Sequence, residues 1–283
     1  MAAPAFARRQ SATLRRIHLL GRQLRRVLTR PLYGVYERHL EQEVARGMVP
    51  AHLGMILDGN RRYARSLGID ARLGHHFGVD RLIEVLDWCA QTGIRHVTLF
   101  VFSNDNFSRP PQEVEYLMDL FVKRGPTILK DPRLRSHGVR IRAIGRRDRL
   151  PAEVVATIDQ LESQTAGNDG MTINIAMAYD GREEIVDAAR KHLEQVAEGG
   201  GSFAQARERL SVDAISRNLY TAGVPDPDFI IRTSGEQRLS GFCLWQSAYS
   251  EYYFTDVLWP EFRRIDFLRC IRSYQGRKRR YGR

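Results

Sequence analysis

The sequence predicts an α/β fold: an open, mainly parallel sheet of about six strands, flanked by helices. Three observations lead there. Short apolar runs alternate with longer stretches of helical periodicity, the order that builds strand–helix–strand units. The run Val97 to Phe102 is almost unbroken apolar, as in a strand covered on both faces. Three apolar runs end directly in dense polar clusters, and parallel sheets collect their ligands beyond the carboxyl ends of the strands.

The elements follow in order. Residues 32–47 read as a helix with Leu32, Val35, Tyr36, Leu40 and Val44 on one side. His52 to Leu57 is a short strand. Residues 75–92 form a helix with Leu82, Ile83, Leu86 and Cys89 on one face, and Gly93 ends it. After the strand Val97 to Phe102, Pro110 and Pro111 precede a helix over 112–129. Val139 to Ile144 is a strand, and Pro151 opens a helix to about 165. Met171 to Ala178 is a strand, 182–197 a helix, and 203–220 one or two more helices. Phe229 to Arg232 is a strand, Phe242 to Trp245 and Tyr252 to Phe254 are shorter extended pieces, and 265–280 is the last helix. Without an internal repeat or a second compositional zone, the chain divides into an N-terminal extension over 1–31 and one domain over 32–283.

Charge sharpens that division. The net charge is +11, but residues 1–31 hold eight Arg and no acid, and residues 263–283 hold nine bases and one acid. The body between them carries five more acids than bases, which disfavours a nucleic-acid-binding face across the fold. Leu14, Ile17, Leu20, Leu24 and Leu28 recur at helical spacing, with Arg15, Arg22 and Arg26 on the other side. This pattern reads as a loosely packed leader, a helix for an anionic lipid surface, or a transit peptide. No apolar run approaches the roughly 20 residues of a membrane span. Cys89, Cys243 and Cys270 form no CxxC pair, which suits a reducing compartment. A cytoplasmic location with a peripheral membrane contact through 1–31 is the expectation.

The polar clusters are Asp58-Gly59-Asn60-Arg61-Arg62-Tyr63, Ser103 to Arg109, and Arg232 to Ser240. They bring together Arg61, Arg62, Arg109, Arg232 and Arg238, with glycines that permit close backbone approach. Guanidinium forks grip phosphate oxygens in pairs. One such cluster reads as a solvated loop; three at strand ends point to one or two multiply charged phosphate esters. No G-x-x-x-x-G-K-[ST] loop and no G-x-G-x-x-G turn occurs, which excludes the common nucleotide motifs. Asp58 stands alone among these cations, either as a turn residue bonding its own backbone or, with a second acid such as Glu251, as a Mg²⁺ ligand.

The stretches HLGMILDGNRRY (His52–Tyr63), Gly74-His75, FSNDNFSRP (Phe102–Pro110), Glu113 and IRTSGEQRLSGFCLWQSAYSEYYF (Ile231–Phe254) resemble the cis-prenyltransferases, the undecaprenyl diphosphate synthase family. In look they are closest to actinobacterial short-chain (2Z,6E)-farnesyl diphosphate synthases. The resemblance implies the sheet fold of that family, a homodimer, and a Mg²⁺-dependent condensation of isopentenyl diphosphate with an allylic diphosphate. It implies Asp58 and Asn106 as catalytic residues, and Asp58 with Glu251 as metal ligands. Gly59, Asn60, Arg61, Arg62 and His75 would hold the allylic diphosphate, and Arg232, Arg238 and Ser240 the isopentenyl diphosphate. Tyr63, Ser103, Asn104, Asp105, Phe107, Arg109 and Leu239 complete the implied substrate-binding set.

The chain departs from the family pattern at several points. Arg61 stands in place of the usual Gly, Tyr63 and Phe107 in place of Trp, Asn104-Asp105 in place of a Ser/Thr-Glu pair, and Ala71 in place of Arg. Val101 occupies a position that is small in long-chain members. With Leu117, Leu120 and Phe121 it is expected to shorten the product tunnel, giving a C15 to C20 product. The alternatives are a long-chain undecaprenyl or decaprenyl product, or a non-head-to-tail or cyclising reaction on the same fold. Arg280-Tyr281-Gly282 resembles the terminal Arg-x-Gly motif that, in relatives, reaches across the dimer.

Overall fold

The computed structural model describes residues 34–277. The expectations for residues 1–31 and for Arg280-Tyr281-Gly282 lie outside the described residues.

Six strands, all parallel, form one sheet in the order β3-β4-β2-β1-β5-β6. They are β1 (His52–Ile56), β2 (His96–Ser103), β3 (Arg140–Ile144), β4 (Thr172–Tyr179), β5 (Phe229–Arg232) and β6 (Glu251–Phe254). Every residue of β1 and β5 is buried, the signature of central parallel strands with helices on both faces. The helices are α1 (34–45), α2 (Asn60–Ser66), α3 (Gly74–Gln91), α4 (Pro111–Lys130), α5 (Pro132–Ser136), α6 (Ala152–Thr165), α7 (Gly181–Glu198), α8 (Phe203–Arg209), α9 (Val212–Asn218) and α10 (Arg264–Gln275). The main core packs Leu53, Met55, Val97 and Leu99 of the strands with Leu40 of α1, Leu86 of α3, Ile158 of α6 and Phe267 of α10. A smaller cluster on the other face joins Ile56, Tyr179, Ile230 and Phe242.

The sheet grows outward from β1 in both directions, with β2 on one side and β5 on the other. The carboxyl ends of these three strands therefore sit side by side. Register makes this concrete: Ile56 of β1 aligns with Phe100 of β2 and with Arg232 of β5. Such a switch in direction is where open α/β sheets leave a crevice for ligands.

Two local expectations change. Phe242 to Trp245 is not extended but part of a series of turns. Ser240, Gly241 and Cys243 have φ of 52, 83 and 45°, left-handed values that no strand accommodates. Phe242 is apolar because it is fully buried, its ring 5.1 Å from that of Phe100. The last helix ends at Gln275, with Gly276 as its cap. Among the described residues, no helix is long and apolar enough to cross a membrane, and all three cysteines are free and buried.

Candidate active site

The three polar clusters line one cleft of about 580 Å³ beyond the carboxyl ends of β1, β2 and β5. At its centre is Asp58, the second residue after β1. Its Oδ1 accepts a hydrogen bond from the Gly59 amide at 2.7 Å, and its Oδ2 accepts one from Arg232 Nη2 at 2.9 Å. Partial burial raises the pKa of this carboxyl, but the bond and charge of Arg232 outweigh that and hold it below its ordinary value. The backbone here is fixed as well: the Asp58 carbonyl accepts from Thr233 Oγ1 at 2.7 Å and from the Trp259 amide at 3.1 Å. Gly59 is required, because its φ is 108° and a Cβ would lie 3.0 Å from Leu258 Cα.

The first cluster continues into α2. Asn60 Nδ2 donates to the Leu57 carbonyl at 3.0 Å. Its Oδ1 is buried without a partner and packs so closely on α3 that a Cβ at Gly78 would come within 2.3 Å. Arg61 approaches Glu113 Oε1 at 3.6 Å, and Arg109 Nη1 donates to the same oxygen at 3.1 Å. Glu113 thus holds two cations from different clusters at one wall. His75 lies beside them with its Nε2 buried and unpartnered. Burial, then the charges of Arg109 and Arg61, lower its pKa to about 4, so the imidazole is neutral near neutral pH.

The opposite wall is built around Arg232, which is only 4% exposed. Its Nη1 donates to Ser240 Oγ at 3.0 Å and to the Arg238 carbonyl, fixing the turn that follows. Arg62 Nη2 donates to Ser234 Oγ at 2.5 Å and lies 3.5 Å from Glu236, which also pairs with Arg238. The loop through Ser240 is tied to α7 from behind. The Gly181 amide donates to the Gly241 carbonyl at 2.8 Å, and Gln246 Nε2 donates to buried Glu184 at 3.0 Å. Burial raises the pKa of Glu184 against its bonds to Tyr179, Gln246 and the Tyr220 amide.

Below the charged rim the cleft is apolar. Val79 and Leu82 of α3, Val101 and Phe102 of β2, Leu117, Leu120 and Phe121 of α4 and Met177 of β4 line it. The cleft therefore combines two walls of guanidinium groups with one apolar channel, a shape for an amphiphile carrying a phosphate head and a hydrocarbon tail.

Of the expected site residues, Asp58, Gly59, Asn60, Arg61, Arg62, His75, Ser103, Asp105, Asn106, Arg109, Arg232, Arg238 and Ser240 line this cleft. Five do not. Tyr63 turns to Phe77, with ring centroids 5.5 Å apart. Phe107 packs on Phe102 at 4.8 Å as part of the main core. Asn104 Nδ2 donates to Glu183 on α7 at 2.8 Å. Leu239 packs into the smaller core cluster. Glu251 begins β6, in register with Phe229, which pairs with Leu53. That is the amino edge of the sheet, roughly 15 Å along the strand direction from Asp58 at about 3.3 Å per residue. Its carboxylate accepts from Arg277 Nη1 at 2.5 Å. Within one chain, the expected Asp58–Glu251 metal pair does not form. Among the described residues, no group of three or more His, Cys, Asp or Glu side chains is arranged to hold a metal.

Sequence reasoning passed over Ser234, Thr233, Arg65, Gly78, Trp259 and the Glu184–Gln246 anchor. Ser234 and Thr233 sit inside the third cluster and carried a signal there; Glu184 lies a whole helix turn beyond its strand and carried none.

Comparison with known proteins agrees with this geometry. Residues 56–282 match the family described as "Putative undecaprenyl diphosphate synthase". An isoprenyl transferase of Thermus thermophilus is 59% identical over 90% of this chain and 97% of its own length. A (2Z,6E)-farnesyl diphosphate synthase of Thermobifida fusca is 47% identical over 89% of this chain and 97% of its own. The higher identity to the Thermus protein corrects the expected special likeness to actinobacterial short-chain enzymes. The crystal structure of lavandulyl diphosphate synthase from Lavandula x intermedia in complex with dimethylallyl diphosphate superposes with a TM-score of 0.77, at 35% identity, covering 83% of this chain and 99% of that one. The chain belongs to the undecaprenyl diphosphate synthase family of cis-prenyltransferases and is an isoprenyl transferase acting on prenyl diphosphates.

Proposed function

We propose that this enzyme condenses isopentenyl diphosphate with an allylic diphosphate to give a Z-prenyl diphosphate of 15 to 20 carbons. The observation that carries the reading is the pairing of two arginine groups, Arg61 with Arg109 on Glu113 and Arg232 with Arg238 at the end of β5, with a single apolar channel. Two heads need two anion sites, and only the growing tail needs a channel.

Arg61, Arg62, His75 and the amides of Gly59 and Asn60 hold the allylic diphosphate, with Arg109 beside them. Arg232, Arg238 and Ser240 hold the isopentenyl diphosphate. The allylic C–O bond breaks and its electrons leave with the diphosphate; the isopentenyl double bond attacks the allylic carbon; one proton then passes to the released diphosphate as the new Z double bond forms. The fixed guanidinium donors stabilise charge that grows on the leaving diphosphate, which is where electrostatic catalysis is strongest. The apolar channel excludes water from the cationic allylic carbon. Asn106 assists the proton loss by orientation, because a neutral amide cannot keep a proton.

Asp58 fits a hard divalent cation. It is ionised, it faces the cleft, and Mg²⁺ is usually held by one or two carboxylates together with substrate phosphates. When bound there, Mg²⁺ neutralises diphosphate charge as a Lewis acid. Residues 32–283 form the catalytic unit, which pairs as a homodimer, and the basic segment 1–31 contacts an anionic membrane surface.

Val101, 38% exposed on the channel wall, supports the short product, as do Leu117 and Phe121 opposite it. The lavandulyl diphosphate synthase likeness keeps a second reading in view, a coupling that uses dimethylallyl diphosphate alone. Incubation with dimethylallyl diphosphate, with and without isopentenyl diphosphate, separates the two. Condensation only when isopentenyl diphosphate is present supports elongation; a C10 product without it supports the irregular coupling.

A further inference from the structure

The channel is a gap between two helices, so its length depends on what holds them together. α3 supplies Val79 and Leu82 to one wall, and α4 supplies Leu117 and Phe121 to the other. On the solvent side the seam is closed by Arg124 of α4, which forms an ion pair with Asp80 of α3. Among the described residues this is the ion pair that joins these two helices. Arg124 shares the stripe of Leu117 and Phe121, at i+7 and i+3, so it lies roughly one turn beyond the last channel residue. Its side chain is 29% exposed with Nε buried and without a partner, while Asp80 is 64% exposed, so the pair lies at the solvent edge of the seam with the base of the guanidinium inside it. Closer to the rim, the rings of His76, one turn before Asp80, and Tyr116, two turns before Arg124, meet at 6.4 Å.

The chain just past Arg124 is weak by construction. Pro126 lies inside α4 and has no N–H, so the hydrogen bond back to the Val122 carbonyl is missing although the helix continues to Lys130. Gly125 instead packs on α6, where a Cβ would meet Thr157 Cγ2 at 3.2 Å. The end of α4 is therefore seated on α6. The arm before it, which carries the channel residues, is held to α3 at Arg124.

We propose that the Asp80–Arg124 pair is a product-length latch, a specificity determinant outside the catalytic groups. A tail that outgrows the channel must push the Leu117–Phe121 wall away from α3, hinging α4 at Gly125-Pro126. The latch resists that movement and tips the choice between releasing the product and adding another isoprene unit. This rests on the elongation reaction proposed above.

The test is the chain-length distribution made from radiolabelled isopentenyl diphosphate and geranyl diphosphate by the full chain, by Asp80→Asn, by Arg124→Met, and by the double variant Asp80→Arg with Arg124→Asp. Each single variant is expected to raise the ratio of longer to shorter products about two- to fivefold, the weight of a partly exposed ion pair. The charge-swapped pair is expected to restore the original ratio, which mere loosening of the fold would not do. Michaelis constants for both substrates should stay within about twofold, since neither residue lines the cleft. Unchanged distributions in both single variants, with product still formed, overturn the latch alone. No label incorporated by the unmodified chain overturns the elongation reading and the latch with it. Should a single variant fold poorly, the swapped pair decides: a distribution longer than the original contradicts the proposal.

Discussion

Arg232 Nη2 donates to Asp58 Oδ2 at 2.9 Å, joining the residue that ends β5 to the turn that follows β1. The pair ties the two arginine walls to one carboxylate and keeps that carboxylate ionised. It also explains why a buried arginine survives here: removing one partner of such a pair leaves an uncompensated charge.

Replacing Asp58 is therefore expected to lower stability, because buried Arg232 loses its counter-charge, and to lower turnover by more than that loss of folded protein explains. Asp58→Asn keeps the shape and removes the charge. Turnover should fall by roughly two to three orders of magnitude, the scale of losing one preorganised electrostatic group. Steady-state kinetics below the melting transition, with a melting curve for each variant, checks this; turnover that falls only in proportion to the folded fraction would assign Asp58 to structure instead.

His75 gives a pH signature. In the free enzyme its pKa is lowered to about 4, by burial first and then by Arg109 and Arg61. A diphosphate bound beside it reverses the local field and raises that pKa. Binding then takes up protons and tightens as pH falls toward the new value. Calorimetry of inorganic diphosphate binding in two buffers of different ionisation heat should show more proton uptake for the parent chain than for His75→Gln. Equal uptake would remove His75 from the binding site.

A second histidine governs acid stability. His52 is fully buried, and its Nδ1 must donate to the Pro225 carbonyl at 2.5 Å, so its Nε2 accepts from Thr98 Oγ1 at 2.8 Å. Thr98 Oγ1 in turn accepts from Asn174 Nδ2 at 3.0 Å. Burial lowers the His52 pKa to about 4. The unfolded chain, titrating near 6.5, binds a proton that the folded chain refuses. This contribution is present above about pH 6.5, falls as the pH drops toward about 4, and amounts to on the order of 3 kcal/mol. Urea midpoints measured between pH 7 and 4.5 should fall less steeply for His52→Gln than for the parent.

The channel wall sets a further expectation. Val101→Ala removes two methyl groups from a residue facing the tail. The main product should lengthen by at least one isoprene unit. An unchanged product would mean that the tail does not reach β2.

Much of this was legible in the sequence, for a physical reason. Strands buried on both faces must be apolar throughout, so β1 and β5 announced themselves, and the polar residues that broke those runs marked the ligand end of the sheet. What failed was direction. Tyr63 and Phe107 neighbour cleft residues in sequence, yet each turns its ring to another aromatic. Asn104 leaves the cleft for α7 although Asn106, two residues on, stays. Glu251 begins its strand rather than following it, and in a parallel sheet that places it at the edge opposite Asp58. Phe242 to Trp245 had a strand's composition, but the left-handed residues around it were invisible without coordinates.

The most direct test of the central claim is the product formed from geranyl diphosphate and radiolabelled isopentenyl diphosphate by the purified chain with Mg²⁺. The two arginine walls and the single short channel call for label in Z-configured products of 15 to 20 carbons. A main band at 50 to 55 carbons would contradict the short channel, and no incorporation at all would contradict the elongation reaction itself.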